Sequence, residues 1–148
     1  MSLRPVGVFD GIGELPYVTV KTTLNPTNRT YTVTTSDLNK PVKISAIGAA
    51  GVPPTVAVAG ATEVVFGIVR AIDANGDYCS VQTQGYARMV YDKTNSQGAA
   101  DPTVGTVVRL CGSATSGQVT WLTDAASARS VLIVDVDTAT TEMEFLFL

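Results

Sequence analysis

The sequence predicts an all-β protein, and three observations support this prediction. Val and Thr account for 41 of the 148 residues, whereas Asp, Glu, Lys and Arg together make up only 16%. β-Branched residues pack well on a pleated sheet, whereas helical bundles need long runs of straight-chain helix formers. Short alternating runs of apolar and polar residues recur between turn signals. With 45% hydrophobic residues, the chain can also build a core, which excludes disorder.

We interpret residues 1–40 as an N-terminal arm. Gly and Pro interrupt Met1–Pro16 so often that no regular element is expected there. Tyr17–Leu24 alternates with one apolar face, which predicts a strand, and Arg29–Thr35 predicts a second, Thr-rich strand. The two could form a hairpin around the turn Asn25–Asn28. Because this hairpin has few apolar residues, it needs a surface to lie against.

A more apolar body, residues 41–148, follows the arm. The pair Asn75-Gly76 predicts a tight hairpin turn, since both residues tolerate positive φ. The predicted strands are Val42–Ala46, Val56–Val58, Glu63–Ile72, Tyr78–Gln84, Tyr86–Tyr91, Val104–Cys111, Gln118–Leu122, Ser130–Val136 and Glu142–Leu148. A helical turn is predicted only at Asp124–Arg129.

The order of strands in the body repeats. Four strands of the second half parallel four strands of the first, and in the first three of these pairs the offsets are about 63 to 66 residues, with little identity. We therefore predict a compact β-barrel-like body with a weak internal duplication of a four-strand unit. The apolar terminal strand Glu142–Leu148 is expected to be a central or interface strand, because an exposed edge of this kind would aggregate.

Composition excludes several classes of function. The chain has no His, which removes Ser-His-Asp and Cys-His triads, His-ligated metal sites and His pH switches. The net charge of −3 disfavours nucleic-acid binding. The charge is uneven, with +2 in residues 1–43 and −5 in residues 44–148. We expect no enzymatic activity, no cofactor and no metal.

The chain shows no apolar run long enough for a membrane span and no signal-peptide core, so we expect no membrane contact and synthesis in a reducing cytoplasm. Under those conditions Cys79 and Cys111, each in an apolar-alternating run, are expected to be buried free thiols. A catalytic thiol would lack its His partner.

Two acidic patterns are candidates for a binding or catalytic site. Asp73-x-Asn75-x-Asp77 begins like a calcium loop but lacks the later Gly and Glu, so a hairpin turn explains it better. The pairs Asp135/Asp137 and Glu142/Glu144 each lie on one strand face, as a small glycosidase or a divalent-metal site could use. A solvated strand face explains these pairs equally well.

Five aromatic residues are the candidates for a sugar-binding strip: Tyr17, Tyr31, Tyr86, Tyr91 and Trp121. They are scattered over separate strands, and packing in a core or an interface is the better interpretation. A carbohydrate-binding β-module of a phage tail or host-recognition apparatus is nevertheless kept as the alternative function.

Several segments together resemble the head decoration, or cement, proteins of tailed bacteriophages. The first unit shows Val42-Lys-Ile-Ser, Pro54-Thr-Val-Ala, Val65-Phe-Gly-Ile-Val-Arg-Ala and Gly76-Asp-Tyr-Cys-Ser-Val-Gln-Thr-Gln-Gly-Tyr-Ala-Arg. The second unit shows Gly105-Thr-Val-Val, Gly117-Gln-Val-Thr and Glu142-Met-Glu-Phe. The resemblance covers about residues 41–148 and lies in spacing and character; residues 1–40 match no part of it.

The resemblance implies a compact β-barrel-like or β-tulip-like body, a homotrimer (a dimer in some relatives) and no catalysis. It implies a virion protein on the outer capsid surface that cements neighbouring major capsid protein subunits. We expect capsid binding mainly through residues 1–40, so that a chain lacking them stays folded but no longer binds. The candidate capsid or oligomer interface residues are Tyr17, Val18, Val20, Leu24, Tyr31, Val33, Phe145 and Phe147, the last two alternatively in the core.

Overall fold

A computed structural model describes residues 17–22 (backbone only), 33–46, 54–74, 77–96, 99–123 and 130–148. These residues form ten β-strands and one 3₁₀ turn, Thr35–Asp37, and contain no α-helix. The strands are β1 Tyr17–Thr22, β2 Pro41–Ala46, β3 Thr55–Val58, β4 Gly67–Ile72, β5 Tyr78–Gln82, β6 Gly85–Val90, β7 Val107–Gly112, β8 Val119–Leu122, β9 Ser130–Asp137 and β10 Glu142–Phe147. The all-β prediction is confirmed.

The strands divide into two sheets. The N-terminal barrel is a closed sheet with the order β1-β3-β2-β4-β5, in which β1 runs antiparallel to β5 and parallel to β3. The C-terminal sheet has the order β6-β10-β9-β7-β8. Among the described residues, its two edge strands are linked by one parallel bridge, between Tyr91 and Val119. The predicted barrel-like body therefore consists of a closed barrel and a five-stranded sheet.

The strand pairing shows the predicted internal duplication. In the barrel, β2 to β5 are ordered β3-β2-β4-β5, and in the C-terminal sheet β7 to β10 are ordered β8-β7-β9-β10. All pairs in both sets are antiparallel. The structure extends the repeat to a fifth strand, because β1 pairs with β5 as β6 pairs with β10.

The repeat extends to irregular features. The ladder between β4 and β5 skips Arg70, and the ladder between β9 and β10 skips Val134. Each of these two residues is the extra residue of a β-bulge, and the two bulges occupy the same position in the repeated unit. Counting from these bulges aligns β4 with β9 and β5 with β10, residue by residue.

The turns that lead into β2 and β7 also correspond. Asn39 and Gly105 both have positive φ, 64° and 83°. Their N–H groups donate to the carbonyl oxygens of Val69 and Ile133, both at 2.8 Å. Asn and Gly are the residues that adopt this left-handed conformation most readily, which explains their presence at these two positions.

Each sheet has its own buried core. The barrel core consists of small side chains with Phe66 and Ile72 packed against them: Val33, Val42, Val56, Val69, Cys79 and Val81. The core of the C-terminal sheet is larger and richer in Met and aromatic residues: Ala59, Val65, Ile68, Ala87, Met89, Tyr91, Val108, Leu110, Val119, Trp121, Val131, Ile133, Met143, Phe145 and Phe147.

The connection between β3 and β4, residues 59–66, joins the two sheets. The Val65 N–H donates to the Leu110 carbonyl of β7 at 3.2 Å, and the Gly112 N–H donates to the Glu63 carbonyl at 2.8 Å. The predicted strand Glu63–Ile72 is therefore wrong in its first part. Residues 63–65 bond to β7, and the barrel strand begins only at Gly67.

The first predicted strand, Tyr17–Leu24, is confirmed over Tyr17–Thr22, and the structure places it inside the barrel. The second, Arg29–Thr35, is wrong over its described end, because Val33 lies in a bend and Thr35 begins the 3₁₀ turn. Val33 is fully buried in the barrel core, which anchors this segment. The described parts of residues 1–40 are thus parts of the barrel.

Four other predictions fall outside the described residues. They are the N-terminal segment Met1–Pro16, the turn Asn25–Asn28, the helical turn Asp124–Arg129 and the turn residues Asn75-Gly76. The strands that flank the last of these do pair antiparallel, and the Asp73 N–H donates to the Tyr78 carbonyl at 3.0 Å.

Candidate interaction surfaces

Of the predicted interface residues, those whose side chains the structure describes lie inside the chain's own cores. The others are described by their backbone alone or lie outside the described residues. Val33 and Phe145 are fully buried and Phe147 is 6% exposed, so these three pack in the cores, as was the alternative for the two Phe residues. Tyr17, Val18 and Val20 lie on β1, whose backbone alone is described. Leu24 and Tyr31 lie outside the described residues.

The structure reveals an apolar strip on the outer face of the C-terminal sheet, formed by Tyr86, Leu146, Leu132 and Val107. These residues are direct cross-strand neighbours on β6, β10, β9 and β7, so their side chains share one face. Tyr86 is 59% exposed and Val107 46% exposed, and the two Leu residues between them are half-buried. The opposite face of the same strands carries the core.

A second apolar surface, the Ile44 groove, lies on the barrel. It has a volume of about 480 Å³ and is lined by Lys43, Ile44, Glu63, Val64, Val65 and Phe66. Ile44 is 43% exposed and Val64 is 40% exposed. At its rim the Lys43 ammonium forms an ion pair with the Glu63 carboxylate. This partner, together with the Gly60 N–H at 2.8 Å, holds the pKa of Glu63 below its usual range.

The apolar strip as a whole was not predicted from the sequence, although the sequence contains a signal for it. Val131–Val134 and Phe145–Phe147 are apolar at every position, so both faces of β9 and β10 are apolar over these two stretches. Alternation would require a polar residue at Leu132 and Leu146 if the outer face were bathed in water. A continuous apolar run on a strand with one core face therefore indicates that its second face has a partner.

The four predicted carboxylates lie together on the C-terminal sheet, around Arg88. The Arg88 guanidinium lies 3.6 Å from Asp135 and 3.6 Å from Glu142, and Glu144 is its direct cross-strand neighbour. Hydrogen bonds from Thr140 and from the backbone of the following turn lower the pKa of Asp137. In the described part of the chain no group of three acids or Cys is placed to hold a metal.

The aromatic candidates for sugar binding do not form a strip among the described side chains. Tyr91 is 1% exposed and Trp121 is 7% exposed, and both lie in the core of the C-terminal sheet, whereas Tyr86 is exposed. Burial, followed by the 2.6 Å hydrogen bond to the Asp101 carboxylate, raises the pKa of Tyr91 to about 12. The Tyr91 hydroxyl therefore anchors the loop that carries Asp101.

Cys79 and Cys111 are both buried and form no disulfide with each other, as predicted. Cys79 lies in the barrel core, whereas Cys111 lies on β7 beside the connection between the sheets. Burial raises the pKa of Cys79 to about 11, which keeps it a protonated thiol.

Comparison of the chain with protein-family models, with curated proteins and with solved structures finds no match. Among the described residues there is also no helix with the length and apolar character of a membrane span.

Proposed function

We propose that the chain is a structural protein of a tailed-bacteriophage head, which binds the outer capsid surface and cements neighbouring major capsid protein subunits. The observation that carries the proposal is the exposed apolar surface: Ile44, Val64, Tyr86 and Val107 are each at least 40% exposed in a chain with few charges. Surfaces of this kind mark protein contacts. The resemblance of residues 41–148 to decoration proteins supplies the identity of the partner.

The remaining chemistry of the described residues suits adhesion. Asp135 and Glu142 pair with Arg88, Asp137 accepts hydrogen bonds from turn N–H groups, and the thiols are buried. A cement protein acts by burying surface between subunits, which requires a rigid body and contact surface. The proposed site of action is the virion, with the major capsid protein as partner and a homotrimer as the assembly, and without cofactor, nucleic acid or membrane.

For the capsid contact we propose residues 1–16, the part of the predicted arm that precedes β1. A deletion of all of residues 1–40 would remove β1 from the closed barrel and Val33 from its core, so it would test folding and not binding. For the deletion of residues 1–40 we therefore expect a barrel that no longer closes, instead of the folded chain predicted from the sequence.

The test compares two deletions. The chain without residues 1–16 keeps β1, so we expect it to remain folded. We also expect that it no longer co-sediments with expanded phage capsids (heads). The control without residues 1–22 lacks β1, and we expect its Cys79 thiol to become reactive. If the chain without residues 1–16 still saturates heads with unchanged affinity, the arm assignment fails. If the full chain does not bind heads but binds glycans on an array, the carbohydrate-binding alternative replaces the proposal.

A further inference from the structure

The two units of the repeat differ at one strand edge. In the C-terminal unit, the connection between β3 and β4 pairs with the end of β7: the Val65 N–H donates to the Leu110 carbonyl, and the Gly112 N–H donates to the Glu63 carbonyl. The pairing is antiparallel. Because β8 occupies the other side of β7 here, this segment lies on the side of β9 and continues its ladder. A short extended segment therefore completes this edge of β7.

The corresponding edge of β2 is open. Leu110 and Ile44 correspond, since each lies five residues after the shared turn at Gly105 or Asn39. The ladder between β2 and β4 ends at Val42, and among the described residues no strand continues along Ile44 on that side. The barrel thus lacks the extended segment that the C-terminal unit has at this position.

The backbone of Ile44 points to this open side. Successive residues of a strand direct their N–H and C=O groups to opposite neighbours. The Pro41 carbonyl accepts from the Ala59 N–H at 2.9 Å on the side of β3, and the Val42 carbonyl accepts from the Phe66 N–H at 2.7 Å on the side of β4. Alternation therefore directs the N–H and C=O of Ile44 to the place where a further strand would bond.

The Ile44 groove lies beside this edge. It is found where the chain before Gly67 leaves β2, because the Val65 N–H bonds to β7. Ile44 and Val64 are 43% and 40% exposed and line it together with Phe66. Its volume of about 480 Å³ lies in the range of ligand sites, roughly 300–1,000 Å³. A strand bound along Ile44 would place alternate side chains in this groove.

We propose that the Ile44 edge and groove bind an extended apolar segment of the major capsid protein, which adds to the barrel as an antiparallel strand beside β2. The source of this strand rests on the proposed function. Its chemistry follows from the segment that completes β7, Glu63-Val64-Val65, which is extended and β-branched. Strand addition gains affinity from main-chain hydrogen bonds and specificity from pockets for alternate side chains.

The first test titrates the full chain with a synthetic peptide. The probe is the end-blocked hexapeptide Thr-Glu-Val-Val-Phe-Gly, which has the sequence of residues 62–67. We expect saturable binding with a dissociation constant below about 1 mM, and shifts of the Ile44 and Val64 amide signals in NMR spectra. A peptide that does not bind, or that binds without shifting these signals, would overturn the proposal.

Two N-methylated peptides separate strand addition from apolar contact. Methylation of the second Val, which stands for Val65, removes the N–H that bonds to β7 in the chain's own example. We expect binding to weaken by about tenfold or more. Methylation of the first Val, which stands for Val64, is the matched control, because by alternation that N–H faces away from the edge. Equal affinity of the two peptides would show that no strand is added.

Two protein variants locate the site. Ile44→Asp places a carboxylate in the apolar groove and should weaken peptide binding by about tenfold or more. Tyr78→Asp is the matched control, since Tyr78 is also 43% exposed and lies outside the groove. Trp121 fluorescence checks that both variants are folded. Equal peptide affinity of the two variants would place the peptide elsewhere and overturn the proposal.

Co-sedimentation with expanded heads identifies the source of the strand. We expect wild type and Tyr78→Asp to bind equally, Ile44→Asp to bind about tenfold more weakly, and an excess of the hexapeptide to weaken wild-type binding. Wild type that does not bind heads would contradict the proposed function and the capsid source together. Wild type that binds heads, with no effect of Ile44→Asp or of the peptide, would contradict this inference alone.

Discussion

The N-terminal barrel and the C-terminal sheet share a strand order, a bulge and an entry turn, but they fill their interiors differently. At corresponding positions the barrel has Cys79 and Val81 where the C-terminal sheet has Met143 and Phe145. The larger side chains fill the core of the C-terminal sheet, whose described edge strands are linked by a single bridge. The smaller side chains fill the core of the closed barrel. The same topology is thus compatible with two sizes of core, and the difference lies in how much apolar volume each unit must fill.

The comparison predicts its largest effect for Phe145→Ala. We expect a loss of about 3–5 kcal/mol in the free energy of unfolding, because a fully buried ring leaves a cavity in the core. Val81→Ala, the matched variant in the barrel, removes less volume and should cost about 1.5–3 kcal/mol. Urea unfolding followed by Trp121 fluorescence and by Cys79 thiol reactivity separates the two units. Equal losses for both variants would contradict the difference in core packing.

The second prediction concerns how the free energy of unfolding depends on pH through Asp37, in the turn that leads into the barrel strand β2. Burial opposes ionisation of Asp37, but the Lys40 ammonium at 2.7 Å and the Thr34 N–H at 2.8 Å hold the pKa of Asp37 below its ordinary value. The stabilisation is therefore complete above pH 3.8, the ordinary value, and is lost as the pH falls through the lowered folded pKa. At the corresponding position the C-terminal sheet has Thr103, whose carbonyl accepts the Thr106 hydroxyl.

We expect Asp37→Asn to lower the free energy of unfolding by about 1–2 kcal/mol at pH 7, with the difference from wild type vanishing in strong acid. Thr103→Ala serves as the control and should show a difference that does not depend on pH. Urea titrations at several pH values measure both. A difference for Asp37→Asn that stays constant down to acid pH would refute the role of its charge.

The smallest effect is expected for Arg88→Gln on the outer face of the C-terminal sheet. Arg88 is 50% exposed and its partners Asp135 and Glu142 are 61% and 36% exposed, so the pairs should contribute less than about 0.5 kcal/mol. In the barrel the positions of Asp135 and Glu144 are taken by the neutral residues Ala71 and Ser80. A thermal unfolding scan with and without salt measures the effect. A loss above about 2 kcal/mol would show that these acids do need Arg88.

The strands and the duplication could be predicted from the sequence because period-two alternation and turn residues are local signals. The position of β1 could not, since its partners on β3 and β5 lie more than 30 residues away and its own sequence does not specify which strands it pairs with. The break before Gly67 was hidden for a similar reason: Glu63–Ile72 has no polar side chain apart from Glu63 and Arg70, but its first residues pair with β7 of the other sheet.

For the candidate surfaces as well, the local signals could be predicted from the sequence and the pairing between distant strands could not. Phe145 and Phe147 were recognised as burial signals, and only the pairing of β10 decided between a core and an interface. The apolar strip needed the cross-strand register, because its four residues come from four strands and form a row only when β6, β10, β9 and β7 are aligned.

The position of β10 has a consequence for biosynthesis. It is the last of the ten described strands to be translated, yet it lies between β6 and β9, and it is the strand that joins β6 to the described part of the C-terminal sheet, apart from the bridge at Tyr91. The barrel has all five of its strands once β5 has left the ribosome, whereas the C-terminal sheet must wait for Glu142–Phe147. A nascent chain therefore contains a complete set of barrel strands next to unpaired strand edges while more than 60 further residues are synthesised. Chaperones would bind the chain during this period. A premature stop before Glu142 would make that exposed state permanent, and we expect such products to aggregate in the producing cell.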